Sequence, residues 1–194
     1  QPALNKVADY LEMGNIVEST LYFDRLYVPT RKFDLGFSTQ GGQLVLNYLG
    51  QPMYEYFALR LESQLQLAAN ESPGQYQIAV LSDDGAVLKV GDGAGNLTKI
   101  VDNDGDHSTR MACSTQTVTL DGNSKIPMVL EYYQGPRFHI SLVVMWRPVP
   151  DGSNPDIPIN DPLCGVSGND KYFNYNVSPS APKAPFYELL SRHW

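Results

Sequence analysis

The sequence predicts an all-β domain, an antiparallel sandwich or barrel. Three observations carry this: long runs in which apolar and polar residues alternate, turn-forming clusters at short intervals between them, and a turn-rich composition with 12 Tyr, 16 Gly and 14 Pro. In the first run Phe57, Leu59, Leu61, Leu65 and Leu67 alternate with Arg60, Glu62, Gln64 and Gln66, the period of two that buries one face of a strand and wets the other. Phe138, Ile140, Leu142, Val144 and Trp146 repeat the pattern late in the chain, and Tyr76, Ile78 and Val80 do so more briefly in the middle. Both long runs belong inside, and the expected core includes Phe57, Leu59, Leu61, Ile78, Val80, Leu142, Val144 and Trp146.

Turn signals punctuate these runs at Gln40-Gly41-Gly42, Glu71-Ser72-Pro73-Gly74, Gly91-Asp92-Gly93, Asp104-Gly105 and Asp121-Gly122-Asn123, residue types that supply φ > 0 or fold a side chain back onto the chain. Short strands separated in this way belong to sandwiches and barrels. Residues 1–15 carry Leu4, Val7, Ala8 and Leu11 at helical spacing, which reads as a short helix ended near Gly14 or as a linker. From Pro148 on, eight of the chain's 14 prolines crowd the sequence, so regular structure is not expected there. Residues 149–194 nonetheless hold Tyr172, Phe173, Tyr175, Phe186, Tyr187 and Trp194, too apolar a set for a free linker, so this extension is expected to pack on the domain formed by residues 16–148 or on a partner.

Composition narrows the function. At 194 residues, 42% hydrophobic and 18% charged, the chain is a folded domain with an appendage, not a disordered segment. Its net charge of -7 argues against nucleic acid, whose binding draws on clustered Lys and Arg. The most apolar run, Ile140 to Trp146, falls far short of the roughly 20 residues a helix needs to cross a bilayer. A first residue of Gln1 reads as a mature product without its signal peptide, or as a fragment. Cys113 and Cys164 are too few and too far apart for a zinc site, leaving a disulfide or two buried thiols. The disulfide is the expectation, because it would tie down a weakly held tail, and it implies an oxidising compartment.

Familiar catalytic and metal motifs are missing. Asp102-Asn103-Asp104-Gly105-Asp106 begins like an EF-hand loop, but His107 stands where the sharp-turn Gly belongs and Cys113 where the bidentate Glu should be. Gly91-Asp92-Gly93-Ala94-Gly95 has neither dinucleotide nor phosphate-loop spacing and reads as a hairpin turn. No zinc-protease helix or nucleophile elbow occurs, and His107, His139 and His193 are scattered. The chain is expected not to be an enzyme.

Two segments, Leu81-Ser82-Asp83-Asp84-Gly85-Ala86-Val87-Leu88-Lys89-Val90 and Ile100-Val101-Asp102-Asn103-Asp104-Gly105-Asp106-His107, resemble the anthrax-protective-antigen-like domain family. A third, Ile126-Pro127-Met128-Val129-Leu130-Glu131-Tyr132-Tyr133-Gln134-Gly135 leading into Leu142-Val143-Val144-Met145-Trp146, is similar to that family's closing hairpin. The resemblance covers residues 57 to 148, with the weaker strands from residue 16 consistent with it, and stops at the tail. It implies a jelly-roll-like antiparallel β-sandwich, and a function that the fold alone does not fix.

In the sugar-binding members of that family an Asp-Asp pair joined by a cis peptide holds calcium, and a second loop supplies an amide ligand and sugar contacts. The matching residues here are Asp83 and Asp84, with Gln134 as the amide ligand and Gly135, Arg137 and His139 as sugar-contacting positions. Neighbouring side chains of an extended strand point to opposite faces, so aiming both carboxylates at one ion requires unusual backbone there. The short Gln134-Gly135-Pro136-Arg137 loop departs from the family's Asn-containing, longer loops, while Asp104 and His107 are expected to shape their own hairpin. The resemblance therefore implies a calcium-dependent lectin or adhesin module of a secreted or cell-surface protein. Its partners would be glycans on a cell surface or polysaccharide, and neighbouring domains of a larger protein. The alternative is a structural or assembly module of a surface fibre or envelope complex.

Overall fold

The computed structural model describes residues 4–23, 26–37, 43–47, 49–67, 69–148 and 187–193, with backbone alone in 16–23 and 187–193. In chain order come helix α1 (Val7–Met13), strands β1 (Asn15–Phe23) and β2 (Tyr27–Lys32), a 3-10 turn (Phe33–Leu35), then β3 (Phe57–Leu65), β4 (Gly74–Asp83), β5 (Ala86–Gly91), β6 (Leu97–Asn103), β7 (Arg110–Cys113), β8 (Val118–Leu120), β9 (Ile126–Gln134), β10 (His139–Pro148) and β11 (Tyr187–His193). Two sheets form, one of six strands in the order β1-β11-β3-β9-β5-β6 and one of five in the order β2-β10-β4-β7 with β8 paired to β4. All the ladders are antiparallel, and the predicted β-sandwich is the observed architecture.

The alternation read from the sequence sets which faces meet. Phe57, Leu59 and Leu61 of β3, Ile78 and Val80 of β4, Leu130 and Tyr132 of β9, and Leu142 and Val144 of β10 are buried together between the sheets, with Trp146 partly buried against them. Phe37, Phe57 and Tyr132 form an aromatic trio in this layer, with ring centroids 5.7 to 6.0 Å apart, within the range in which edge and offset contacts add to area burial. Odd-numbered positions of β10 and β4 turn the other way. Ala79, Val143 and Met145 join Met111 in a second buried apolar cluster, with Cys113 packed against it.

Register brings one set of strand ends together. Asp83 at the end of β4 lies opposite Ser141 near the start of β10, Gln134 at the end of β9 lies opposite Phe57 at the start of β3, and Ala86 lies opposite both Tyr132 and Asn103. The connections after β4, β6 and β9 and the approach to β3 therefore gather at one end of the sandwich.

Two differences from the sequence reading have physical causes, and the alternative at the N-terminus is resolved. Phe138, placed inside by its alternation, is 77% exposed. It belongs to the hairpin between β9 and β10, where Arg137 (φ 28) and Phe138 (φ 94) leave extended geometry and the ladder begins only at His139. Tyr187–His193 forms a strand where the proline content pointed to none, because the prolines stop at Pro185 and the segment pairs with both β1 and β3. The N-terminal segment is a helix, not a linker. Asp9 accepts a hydrogen bond from the Lys6 amide (3.0 Å), and the Gly14 N–H closes the last turn on Tyr10 (3.0 Å). Residues 149–186, with Cys164, lie outside the described residues.

Leu142 lies at the centre of the inter-sheet layer with no exposed surface. Leu142→Ala is expected to lower unfolding free energy in urea by about 2 to 5 kcal/mol, whereas truncating exposed Leu49, which is 62% exposed, should leave it nearly unchanged.

Candidate functional site

The gathered strand ends surround Asp83 and Asp84. The chain leaves β4 at this pair through a cis Asp83-Asp84 peptide, the backbone form that the family resemblance implies. Both side chains are nearly sealed from water, at 5% and 6% exposure. Thr109 donates its hydroxyl to Asp83 Oδ2 (3.2 Å). Asp84 accepts the His107 amide on Oδ1 (3.1 Å) and the Gly135 amide on Oδ2 (2.8 Å). The Thr109 backbone amide also donates to the Asp83 carboxylate.

Charge compensation is what this pair lacks. Glu131, also 5% exposed, has the Lys89 ammonium 2.5 Å away, whereas no Lys or Arg pairs with Asp83 or Asp84 among the described residues. Burial raises the pKa of both above the ordinary value of 3.8, that of Asp84 to about 6. The Gly135 and His107 amides pull Asp84 back down, and the neighbouring charges of Asp83 and Asp106 push it up further. For Asp83, the hydrogen bonds from Thr109 and the nearby imidazoles of His139 and His107 oppose burial. Ionised carboxylates in such surroundings are costly unless a cation or proton compensates them.

Gln134 enters the same site from β9 with no exposed surface. Its Nε2 donates to the His139 carbonyl (2.8 Å), which fixes the amide so that Oε1 faces the Tyr132 hydroxyl (2.8 Å). That hydroxyl also lies 2.7 Å from the Asp83 carbonyl. A phenol has one proton, so at any moment one of these two oxygens keeps a lone pair unclaimed. The oxygens at these strand ends are two carboxylates, with an amide oxygen and a backbone carbonyl linked through the Tyr132 hydroxyl. Among the described residues no group of three or more Asp, Glu, His or Cys is arranged as a metal centre. A hard cation tolerant of mixed oxygen ligands fits this set, and a thiolate- or imidazole-seeking metal does not.

Glycines let the loops approach so closely. A Cβ on Gly85 would stand 2.2 Å from Tyr133 Cε1, and one on Gly135 would stand 3.0 Å from Asp84 Oδ2. Gly135, expected as a sugar contact, thus serves Asp84 through its amide. His139 is exposed, and its carbonyl accepts from Gln134 Nε2 (2.8 Å). Arg137 is also exposed; its amide donates to Glu55 Oε2 (3.3 Å), and no hydrogen bond or ion pair joins its guanidinium to Asp83, Asp84 or Gln134. The only non-glycine residues with positive φ among those described, Tyr56, Arg137 and Phe138, lie in these two adjoining loops, a concentration of backbone strain of the kind found beside ligand clamps.

Several supports were not legible beforehand. Asn103, wholly buried, donates to Ser82 Oγ (2.9 Å) and to the Arg110 carbonyl (3.0 Å), and accepts from Arg110 Nε (2.8 Å), pinning the end of β6 to β4 and β7. Tyr133 donates to Asp106 Oδ1 (2.8 Å). Asp104 accepts the Val7 amide (2.9 Å) and the Gly105 amide (2.9 Å), which bears on the hairpin role expected of it. The paired tyrosines ahead of Gln134 were the available signal, since neighbours on a strand must serve opposite faces.

No protein-family model matches the chain, and no curated protein matches it in sequence. Among solved structures, it is similar to a PA14 sugar-binding domain from an RTX adhesin, at 21% identity over 74% of this chain and 79% of that one, TM-score 0.49. It is also similar to the Epithelial Adhesin 6 A domain from Candida glabrata in complex with Galβ1-3GlcNAc, at 12% identity over 85% of this chain and 69% of that one, TM-score 0.40. A third is a subtype-switched Epithelial Adhesin 9 to 1 A domain from Candida glabrata in complex with β-lactose, at 12% identity over 80% of this chain and 63% of that one, TM-score 0.37. At these identities and scores the likeness does not say what this chain binds, and its own residues must supply that.

Proposed function

We propose that the chain is a non-enzymatic carbohydrate-binding module that engages glycan hydroxyls through calcium held by Asp83, Asp84 and the Gln134 amide oxygen. The observation that carries this reading is the pair of adjacent carboxylates, 5% and 6% exposed, with no Lys or Arg paired to them among the described residues. A calcium ion at this position would supply open coordination sites that a vicinal diol can fill in place of water. The Gly135 and His107 amides orient Asp84, and the His139 carbonyl orients Gln134. Arg137 and His139, exposed on the rim, offer hydrogen bonds to the outer hydroxyls of a sugar.

Extracellular oxygen-ligand sites bind calcium at roughly 0.1 to 1 mM, so single-site glycan binding is weak and adhesion would come from many copies acting together. Isothermal titration should show calcium binding in that range, and glycan-array binding that disappears with chelator. Asp84→Ala is expected to remove both while the protein stays folded; Arg137→Ala should weaken glycan binding and spare calcium. Glycan binding that persists in excess chelator would refute the reading in favour of a structural or assembly module.

The raised carboxylates fix the direction of a pH effect. With a folded pKa of about 6 against an ordinary 3.8, Asp84 binds its proton more tightly in the native state than in the unfolded chain. Its burial therefore costs stability progressively as pH rises through that window in cation-free protein. Calcium relieves that cost only where Asp84 is ionised, so added calcium should raise the melting temperature more at about pH 7.5 than at about pH 4.5. Equal increments at both would count against a carboxylate-held ion.

We further propose that Cys113 pairs with Cys164. Cys113 lies beside the apolar cluster on the outer face of the smaller sheet, and such a cross-link would fasten the extension there and mark an oxidising, extracytoplasmic setting. Mass spectrometry of non-reduced peptides should find the two cysteines linked, and alkylation of both in the native protein would overturn the pairing.

A further inference from the structure

The N-terminal helix reaches the site from the side opposite to the sandwich core. Tyr10 of α1 has no exposed surface and stacks on Tyr133, with ring centroids 4.5 Å apart and planes inclined by 21°. The Tyr10 hydroxyl would lie 3.6 Å from a Cβ placed on Gly135, and Asp106 Oδ1 3.4 Å from the same point, so phenol and carboxylate both close over the loop whose amide holds Asp84. Tyr133 carries the contact further: its hydroxyl faces Asp106 Oδ1 (2.8 Å) and the Asn5 carbonyl (3.0 Å), its amide donates to the Gly85 carbonyl (2.9 Å), and its ring leaves room only for glycine at Gly85. The Val7 amide completes the attachment on Asp104 (2.9 Å).

Strand geometry explains why this helix matters to the site. Tyr132 and Tyr133 are neighbours on β9 and point to opposite faces. Tyr132 faces the core and touches Asp83 and Gln134, while Tyr133 faces α1 and touches the loops that carry Asp84 and Asp106. The core alone secures one side of the Asp83-Asp84 pair. The other side, with two loops rich in carboxylates, is secured by a helix of seven residues, too short to hold its shape without a surface to pack on.

We infer that α1 belongs to the binding site and that Tyr10 and Tyr133 are positioning residues, which hold the Gly135 and His107 amides on Asp84. The inference rests on the proposed reading of Asp83 and Asp84 as the cation site. Outer partners of metal ligands govern affinity by fixing ligand orientation, and here that partner is supplied by the N-terminal segment.

Amide hydrogen exchange on the full chain without added calcium tests this directly. In Tyr10→Ala the Gly135 and His107 amides should exchange about tenfold faster or more, while the Ile78 amide, bonded to Ser114 Oγ at 3.1 Å far from α1, keeps its protection. Tyr10→Phe, which retains the stack, should restore wild-type exchange. Where Tyr10→Ala does not fold, Tyr133→Phe is the variant to read, since it removes the hydroxyl that ties Asp106 and Asn5 and keeps the ring; the same selective loss is expected. Calcium titration of the folded variant should show affinity lowered by about 10- to 100-fold. Gly135 protection unchanged in Tyr10→Ala, or lost equally at Gly135 and Ile78, would overturn the inference by making α1 a bystander or a contributor to global stability alone. If the wild-type chain binds no calcium, the cation reading fails, while the exchange pattern still decides whether α1 positions these groups.

Discussion

Two neighbouring carboxylates placed in a nearly water-free position, with no Lys or Arg paired to them among the described residues, set the terms for this end of the protein. An isolated buried carboxylate is strongly disfavoured in its charged form, and here there are two on consecutive residues. The surroundings answer with dipoles: the His107 and Gly135 amides on Asp84, the Thr109 hydroxyl on Asp83, and the Tyr132 hydroxyl shared between the Asp83 carbonyl and Gln134. None of these carries a full positive charge. The chain contrasts with itself at Glu131, where a carboxylate buried to the same degree is neutralised by Lys89. A lysine at one buried acid and none at Asp83 or Asp84 among the described residues is the contrast on which the proposed cation reading rests.

The rest of the fold delivers residues to that point. The pairings of Asp83 with Ser141, Phe57 with Gln134 and Ala86 with Tyr132 put the ends of both sheets together, and the inter-sheet layer of Phe57, Leu59, Ile78, Leu130 and Leu142 makes those registers costly to shift. Glycine at positions 85 and 135 converts register into contact, because any side chain there would meet Tyr133 or Asp84. Among the described residues the non-glycine positions of positive φ lie at the rim, at Tyr56, Arg137 and Phe138, where a rigid base can support loops of unusual shape.

How much of this was legible depended on whether a signal was local. Alternation in Phe57 to Leu65 and Ile140 to Trp146 states its own meaning, since burial of one face is the only arrangement that satisfies it. The resemblance carried by Leu81 to Val90 pointed to Asp83 and Asp84, and the structure brings Gln134 and Gly135 to them. Phe138 misled because periodicity continues through a hairpin that backbone dihedrals interrupt. β11 leaves no local signal because its pairing with β1 and β3 is set by partners far away in sequence, and α1 reads as either helix or linker because seven residues carry little propensity of their own. Asp106 was set aside with a failed EF-hand pattern, although its place beside Tyr133 is decided by the fold and not by spacing.

The central claim is that Asp83 and Asp84 are completed by a cation that a glycan then touches. A crystal structure grown with millimolar calcium and a saturating concentration of a glycan that the array identifies tests it most directly. The account predicts density for one ion bonded to both carboxylates and to Gln134 Oε1, at the roughly 2.3 to 2.6 Å typical of calcium and oxygen, with two sugar hydroxyls on the same ion. Saccharide bound elsewhere, with Asp83 and Asp84 making only the hydrogen bonds described above, would contradict it.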